Sequence, residues 1–275
     1  MGYSTMQQLV KTYLPEQQAV LDQLFAAERS LNKAQPTAVV YGLYNSGKSS
    51  LLNSITNNIE QEYFATGDIP QTKAMKQLVY QGMCYIDTPG LDVDYQDTAC
   101  ANQGINEADI LILVHKLTSG PIQRNELHTI QQLIARHGRP AHVITVLTGA
   151  EQVESKQTLI ADITQQLKPF IPNNNVFPVS NHTFAKGVQQ AKQPLIQHSG
   201  MPQLIQYLQD KVGELKRTLK HERLARKMQL KNSLLDEIKH KKSLIKQTIQ
   251  RNKDYLAERE NRLLAVVKDL QKLAR

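Results

Sequence analysis

Eight residues, Gly42-Leu-Tyr-Asn-Ser-Gly-Lys-Ser49, carry the pattern G-x-x-x-x-G-K-S. Glycine at both ends of such a loop lets backbone N–H groups curl around an anion where a Cβ would intrude. Gly42, Tyr44, Asn45, Ser46, Gly47, Lys48, Ser49 and Ser50 therefore form a candidate phosphate cradle. The Lys48 ammonium would reach the β- and γ-phosphates of a nucleotide, and the Ser49 hydroxyl would ligate Mg²⁺. A helix starting here would point its positive end at the phosphates. A second cluster, Tyr85-Ile-Asp-Thr-Pro-Gly90, places Asp87 39 residues after Lys48. Asp87 can hold Mg²⁺ through water, and the Gly90 N–H can sense the γ-phosphate. Between the clusters, Pro70-Gln-Thr72 offers a hydroxyl in a polar stretch, making Thr72 the candidate second Mg²⁺ ligand that closes over the γ-phosphate. The chemistry such a set could do is electrostatic, with Lys48 and the cation stabilising charge on a phosphoryl group. Leu91 follows Gly90 and cannot polarise water, so no general base is named.

These residues need strand ends and helix starts to hold them. Thr37–Tyr41 is a short β-branched run before the glycine loop, and Ser49–Ile55 reads as the helix after it. Leu78–Asp87 reads as strand with a hairpin at Gln81-Gly82, and Asp109–His115 as a strand buried on both faces. A helix over Glu126–His137, a strand over His142–Leu147, a helix over Ser155–Leu167 and a strand over Val176–Val179 follow. This alternation predicts an α/β domain whose mostly parallel sheet is covered by helices on both faces. His115, His128, His137 and His142 miss metal-ligand spacings and read as surface or helix-end residues. Asp92, Asp94 and Asp97 read as a solvated loop.

The two ends of the chain are helical in pattern. Residues 4–33 have apolar positions at helical spacing, turned near Pro15. From Glu214 to Arg275 there are 62 residues without Gly or Pro. Leu235, Ile249, Leu256, Leu263 and Leu270 share one heptad track, and Ile238, Ile245, Val266 and Leu273 the other, which predicts a coiled coil or a long helical hairpin. Charge divides at the same place. Residues 1–210 hold 14 Lys and Arg against 17 Asp and Glu, a net of −3, and residues 211–275 hold 19 against 8, a net of +11. The overall +8 thus belongs to the tail, which argues against a uniformly basic nucleic-acid-binding fold. Two cysteines are too few for a disulfide scaffold and fit a reducing, cytoplasmic setting. No apolar run approaches the ~20 residues that span a bilayer, and the N-terminus lacks a signal-peptide core.

Together, GLYNSGKSSLLN, PQT and YIDTPG resemble the translation-factor-related P-loop GTPases, within them the Era-like, TrmE-like, septin and dynamin-like branches. The resemblance covers roughly residues 37–200. It implies a three-layer P-loop GTPase fold, GTP and GDP binding, Mg²⁺, slow hydrolysis and a nucleotide-driven switch. Asn45 stands where TrmE-like and dynamin-like members hold a K⁺ that stabilises transition-state charge; the alternative is a loop-stabilising asparagine. The family reads guanine with [NT]-K-x-D. Here Thr148 fits the first position, Gly149 replaces Lys, and Glu151 stands for Asp. A Glu can accept the same two N–H groups but is one methylene longer, which leaves selectivity between GTP and other nucleotides open. Ser180-Asn181 resembles the family's last motif, with the Asn181 N–H offered to the base.

The layout also resembles a shortened dynamin-like protein: helices over 1–35, a GTPase domain over 36–210, and a basic helical arm over 211–275 that packs with the N-terminal helices or self-associates. The implied partners are guanine nucleotide, a second copy or helical protein, and an acidic membrane surface reached peripherally from the cytoplasm. RNA is the weaker partner, because Tyr255 is the arm's single aromatic and no KH-type G-x-x-G follows residue 200. An Era-like RNA-associated assembly GTPase and a weakly active nucleotide-binding scaffold are the alternative readings.

Overall fold

The computed structural model describes residues 3–43, 45–64, 76–88, 104–171 and 175–273. They form two compact units, one of residues 22–226 and one of residues 1–21 with 227–275. The boundaries drawn from composition at 35 and 210 fall inside the first unit. Tyr44, Thr72, Gly90, Leu91 and the Asp92, Asp94 and Asp97 cluster lie outside the described residues.

The first unit is built on a six-stranded sheet in the order β2-β3-β1-β4-β5-β6. Its strands are β1 (Thr37–Gly42), β2 (Lys76–Tyr80), β3 (Met83–Asp87), β4 (Ile110–Lys116), β5 (Val143–Thr148) and β6 (Asn175–Pro178). Only β2 runs antiparallel to its neighbour. The β2–β3 hairpin turns at Gln81 and Gly82, both with positive φ (47° and 83°). Two left-handed residues are what a tight turn between right-twisting strands demands, and Gly82 meets that without strain. The mostly parallel sheet and the hairpin are as the sequence pattern predicts.

Helices cover both faces: α3 (Lys48–Ile55), α4 (Arg124–His137), α5 (Lys156–Leu167), α6 (Asn181–Gln189) and α7 (Gln193–His198). Period-2 alternation divides the core. Ala38 and Val40 of β1 join Leu51, Leu52 and Phe184 on one face, while Val39 and Tyr41 join Ile130, Ile134 and Ile163 on the other. Each fully buried Leu or Ile contributes ~1.5–3 kcal/mol, so the two apolar layers fix the register of every strand.

The last helix, α8 (Met201–Leu273), starts in this unit. Met201, Leu204, Leu208, Val212 and Leu215 lie at helical spacing in the first core layer. Residues 214–273 are thus part of one helix, not a hairpin. Gly213 does not stop it, because its position faces open space and a glycine there costs only about 1 kcal/mol. Arg223 fastens α8 to the amino end of the sheet. Its guanidinium donates to Asp109 Oδ2 (2.7 Å) and to the carbonyls of Ser30, Lys33 and Gln35 (2.6, 2.6 and 2.9 Å). Asp109 also accepts the Thr37 N–H at 2.9 Å, so one buried carboxylate ties β1, β4 and α8 together. Nearby, burial and the charges of Arg139, Arg226 and His142 hold His137 neutral.

In the second unit, α1 (Tyr3–Tyr13) ends before Pro15, and α2 (Gln18–Leu31) begins after a 3₁₀ turn, as the proline predicts. Val10, Leu14, Leu21 and Leu234 are buried, and Lys241 pairs with Glu16 at 3.6 Å. Beyond Leu234, the heptad positions from Leu235 to Leu270 are exposed, including Ile249, Leu256 and Leu263. No described helix is long and apolar enough to cross a membrane.

Candidate functional site

The phosphate end sits where β1 stops and α3 starts. A Cβ on Gly42 would lie 2.2 Å from the Val114 carbonyl oxygen of β4 and 2.7 Å from Ser46 Oγ. Glycine is therefore enforced by the approach of a neighbouring strand as well as by loop curvature. Asn45 (φ 58°) and Gly47 (φ 87°) are left-handed, and Gly47 is the N-cap of α3. Asparagine tolerates that region better than most side chains, which gives Asn45 a conformational reason to be there. Lys48, 7% exposed, donates from Nζ to the Leu43 carbonyl at 2.8 Å, so the ammonium spans the mouth of the loop.

Ser49 and Asp87 meet beside it. The Ser49 hydroxyl donates to Asp87 Oδ2 at 2.8 Å. Asp87 Oδ1 is buried and has no hydrogen-bond partner among the described residues. Burial pushes the Asp87 carboxyl up, against the Ser49 hydrogen bond and the charges of Lys48 and Lys76. A hydroxyl and a carboxylate oxygen left to accept fit Mg²⁺, a hard cation that takes oxygen ligands and keeps its waters. Two further bonds brace this end. Thr88 Oγ1 donates to the Val40 carbonyl (2.6 Å), and Asn53 exchanges two hydrogen bonds with the Phe64 backbone (2.8 and 2.9 Å).

The base end lies across a cleft of about 430 Å³, a size suited to a nucleotide-scale ligand. Asn45, Ser46, Gly47 and Ser50 line one side, and Thr148, Glu151 and Asn181 the other. Both ends are tied. Thr148 Oγ1 donates to the Ser46 carbonyl at 2.7 Å, and Asn181 Nδ2 to the Gly47 carbonyl at 3.4 Å. Ser180 stands behind the cleft. Its hydroxyl accepts the Thr183 N–H at 2.9 Å and caps α6, which presents Asn181 at the helix start. Gly42, Lys48, Ser49 and Asp87 do not line the cleft.

Against known proteins, residues 37–171 match the family described as 50S ribosome-binding GTPase. Residues 37–171 are a P-loop GTPase domain. A relative from Acinetobacter baylyi, itself uncharacterized, is 33% identical over 224 residues, 78% of this chain and 52% of the relative. Translation initiation factor IF-2 of Caldicellulosiruptor saccharolyticus is 25% identical over 171 residues, 62% of this chain and 18% of that protein. The chain thus spans about half the length, or less, of the curated relatives it matches. Among solved structures, an oligomerised bacterial dynamin pair matches with a TM-score of 0.55 at 16% identity, over 98% of this chain and 63% of that one. LeoA, a bacterial dynamin GTPase from ETEC, matches at 0.51 and 14% identity, over 83% and 48%. At these identities the likeness is one of fold.

Two residues beside the cleft have a place that the sequence reading did not give them. Lys116, the last residue of β4, lines the cleft beside Thr148, its partner across the strands. Its signal was positional: a cation at the carboxyl end of a buried strand, where open α/β sheets bind ligands. His115 was read as a surface histidine and is buried instead. Nδ1 lies 2.9 Å from Glu126 Oε1 and Nε2 lies 2.8 Å from the Gly120 carbonyl. Both partners are acceptors, so the geometry calls for the doubly protonated ring. Burial opposes that charge, but Glu126 and the Gly120 carbonyl outweigh it and hold the His115 pKa above its ordinary value. The pair pins the loop that leaves β4 directly after Lys116.

Proposed function

We propose that this protein is a GTP-hydrolysing switch whose nucleotide state is read out by its helices. The observation that carries the reading is the cleft itself. One wall is the glycine loop, the other is the Thr148–Glu151 loop with Asn181, and the Ser49–Asp87 pair lies at its phosphate end. Gly42, Gly47 and Lys48 hold the phosphates through backbone N–H groups and one ammonium. Ser49 and Asp87 hold Mg²⁺, with Thr72 joining when the γ-phosphate is present. Bound Mg²⁺ supplies charge neutralisation on the phosphate oxygens. Asn45 holds K⁺ as a second cation, and Gly90 senses the γ-phosphate. Glu151 and the Asn181 N–H read the base, in a GTPase domain flanked by N-terminal helices and the basic arm.

The readout is self-association, through the exposed heptad tracks of α8, at an acidic membrane surface reached from the cytoplasm. Two features support it: the +11 charge of residues 211–275 and the fold shared with a dynamin pair described as sensing and tethering membranes. Phosphate release from GTP, measured in K⁺ and in Na⁺, tests the reaction. Turnover stimulated by K⁺ and insensitive to cation after Asn45→Ala is expected. Equal rates in both salts for the unmodified protein refute the K⁺ role, and no turnover in either refutes the hydrolase. Co-sedimentation with acidic vesicles and with RNA at several salt concentrations tests the readout, with vesicles expected to bind and RNA not.

A further inference from the structure

The family's base-reading lysine has no direct counterpart here, and the geometry explains why. Position 149 is left-handed (φ 72°, ψ 26°) and leads straight into a 3₁₀ turn, Ala150–Gln152. A lysine in that conformation is strained, and glycine is not. The space beside it is not open, however. A Cβ at Gly149 would lie 3.9 Å from Lys116 Cγ and 3.8 Å from Thr118 Cγ2, both in ordinary van der Waals contact. The stem of Lys116 therefore runs alongside the point where a side chain at 149 would begin. Lys116 arrives there because β4 stays paired with β5 up to its last residue, in register with Thr148. It lines the same cleft as Thr148, Glu151 and Asn181.

We propose that Lys116 supplies from β4 the base-packing function that position 149 has given up. Its methylene stem forms a wall against the face of a purine, and its ammonium adds a cation over the ring. Glu151 then faces the edge of that purine. An ionised carboxylate only accepts hydrogen bonds. It suits an edge with two neighbouring N–H donors, as guanine has at N1 and its 2-amino group. It opposes adenine, which presents an acceptor at N1. The ligand class is thus a purine nucleotide with a donor edge. His115 is the positioning residue of this arrangement, since its bond to Gly120 fixes the loop beyond Lys116.

This inference rests on the GTPase reading, and the test separates the two. Calorimetric titrations with GDP and with inorganic tripolyphosphate, both with Mg²⁺, are run on the unmodified chain, Lys116→Ala and Lys116→Met. Lys116→Ala is expected to weaken GDP about tenfold and to leave tripolyphosphate within about twofold. Lys116→Met keeps the stem and is expected to stay within about threefold of the unmodified chain for GDP. An unmodified chain that binds neither GDP nor tripolyphosphate overturns the GTPase reading and this inference with it. GDP affinity unchanged in Lys116→Ala overturns the role of Lys116 alone. Equal losses for GDP and tripolyphosphate also overturn it, because they report a damaged fold rather than a lost base wall.

Discussion

The two ends of the cleft solve recognition in different ways. At the phosphate end, residue identity follows from backbone geometry: Gly42 has the Val114 carbonyl 2.2 Å from its absent Cβ, and Gly47 has a φ of 87°. An anion is met by backbone N–H groups, and those can be aimed in few ways. At the base end, in the reading proposed above, the contacts come from the Lys116 side chain at the end of β4, the Glu151 side chain beyond β5 and the Asn181 N–H beyond β6. A wall lost at position 149 can be rebuilt from position 116, since only the place of the contact matters to the ligand. In this chain the family pattern is kept at the glycine loop, where backbone groups would bind, and departed from at Gly149, where a side chain would.

The contrast can be broken most severely at Lys48. Lys48→Ala removes the buried ammonium at the mouth of the loop, and nucleotide affinity should fall by roughly 100-fold or more. Retained micromolar GTP binding in a fluorescence titration contradicts the assignment of the phosphate end. Ser49→Ala comes next. It leaves Asp87 without its hydroxyl partner, and the Mg²⁺ needed for half-maximal turnover should rise by at least about tenfold. An unchanged Mg²⁺ titration would remove Ser49 from the metal site.

Thr148→Ala cuts the bond that joins the two ends. It leaves the Ser46 carbonyl short of a partner at about 1–3 kcal/mol, with a loss of several degrees in thermal midpoint. Ser46 and the base loop should then move independently, so both GDP and tripolyphosphate weaken; a variant as stable as the unmodified chain refutes the tie. The smallest effect is expected at His115. Its pKa is raised in the folded chain, so its stabilising charge is fully present below the ordinary histidine value. That contribution is lost as pH rises through the raised pKa, which puts the loss on the neutral-to-alkaline side. Denaturant unfolding across that range should show stability falling with pH in the unmodified chain and a flatter profile in His115→Gln. Parallel profiles would show that the ring does not carry the charge.

Much of this was legible in the chain. The strand–loop–helix passage around Gly42–Ser49, the strand that ends at Asp87, the Gln81-Gly82 hairpin and the alternation of strands and helices depend on local pattern, and the structure follows them. What was not legible depends on neighbours in space. Lys116 looks like a strand-end charge until β5 is laid beside β4. His115 reads as a surface histidine until Glu126 folds back onto it. Arg223 is one cation among nineteen in a basic tail, and only the meeting of α8 with Asp109 makes it the fastening of the arm. The arm was bounded at 211 by its charge, but one helix runs from Met201 to Leu273, and the exposed Gly213 within it carries too small a penalty to end it.

The central claim is that a departure in motif has left purine discrimination intact, and a single competition titration of GTP, ATP and XTP against the Mg²⁺-bound protein tests it most directly. With Glu151 accepting from a donor edge, GTP should bind at least about tenfold more tightly than ATP or XTP. Equal affinity for GTP and ATP would mean that the cleft reads only phosphate, and would contradict the account.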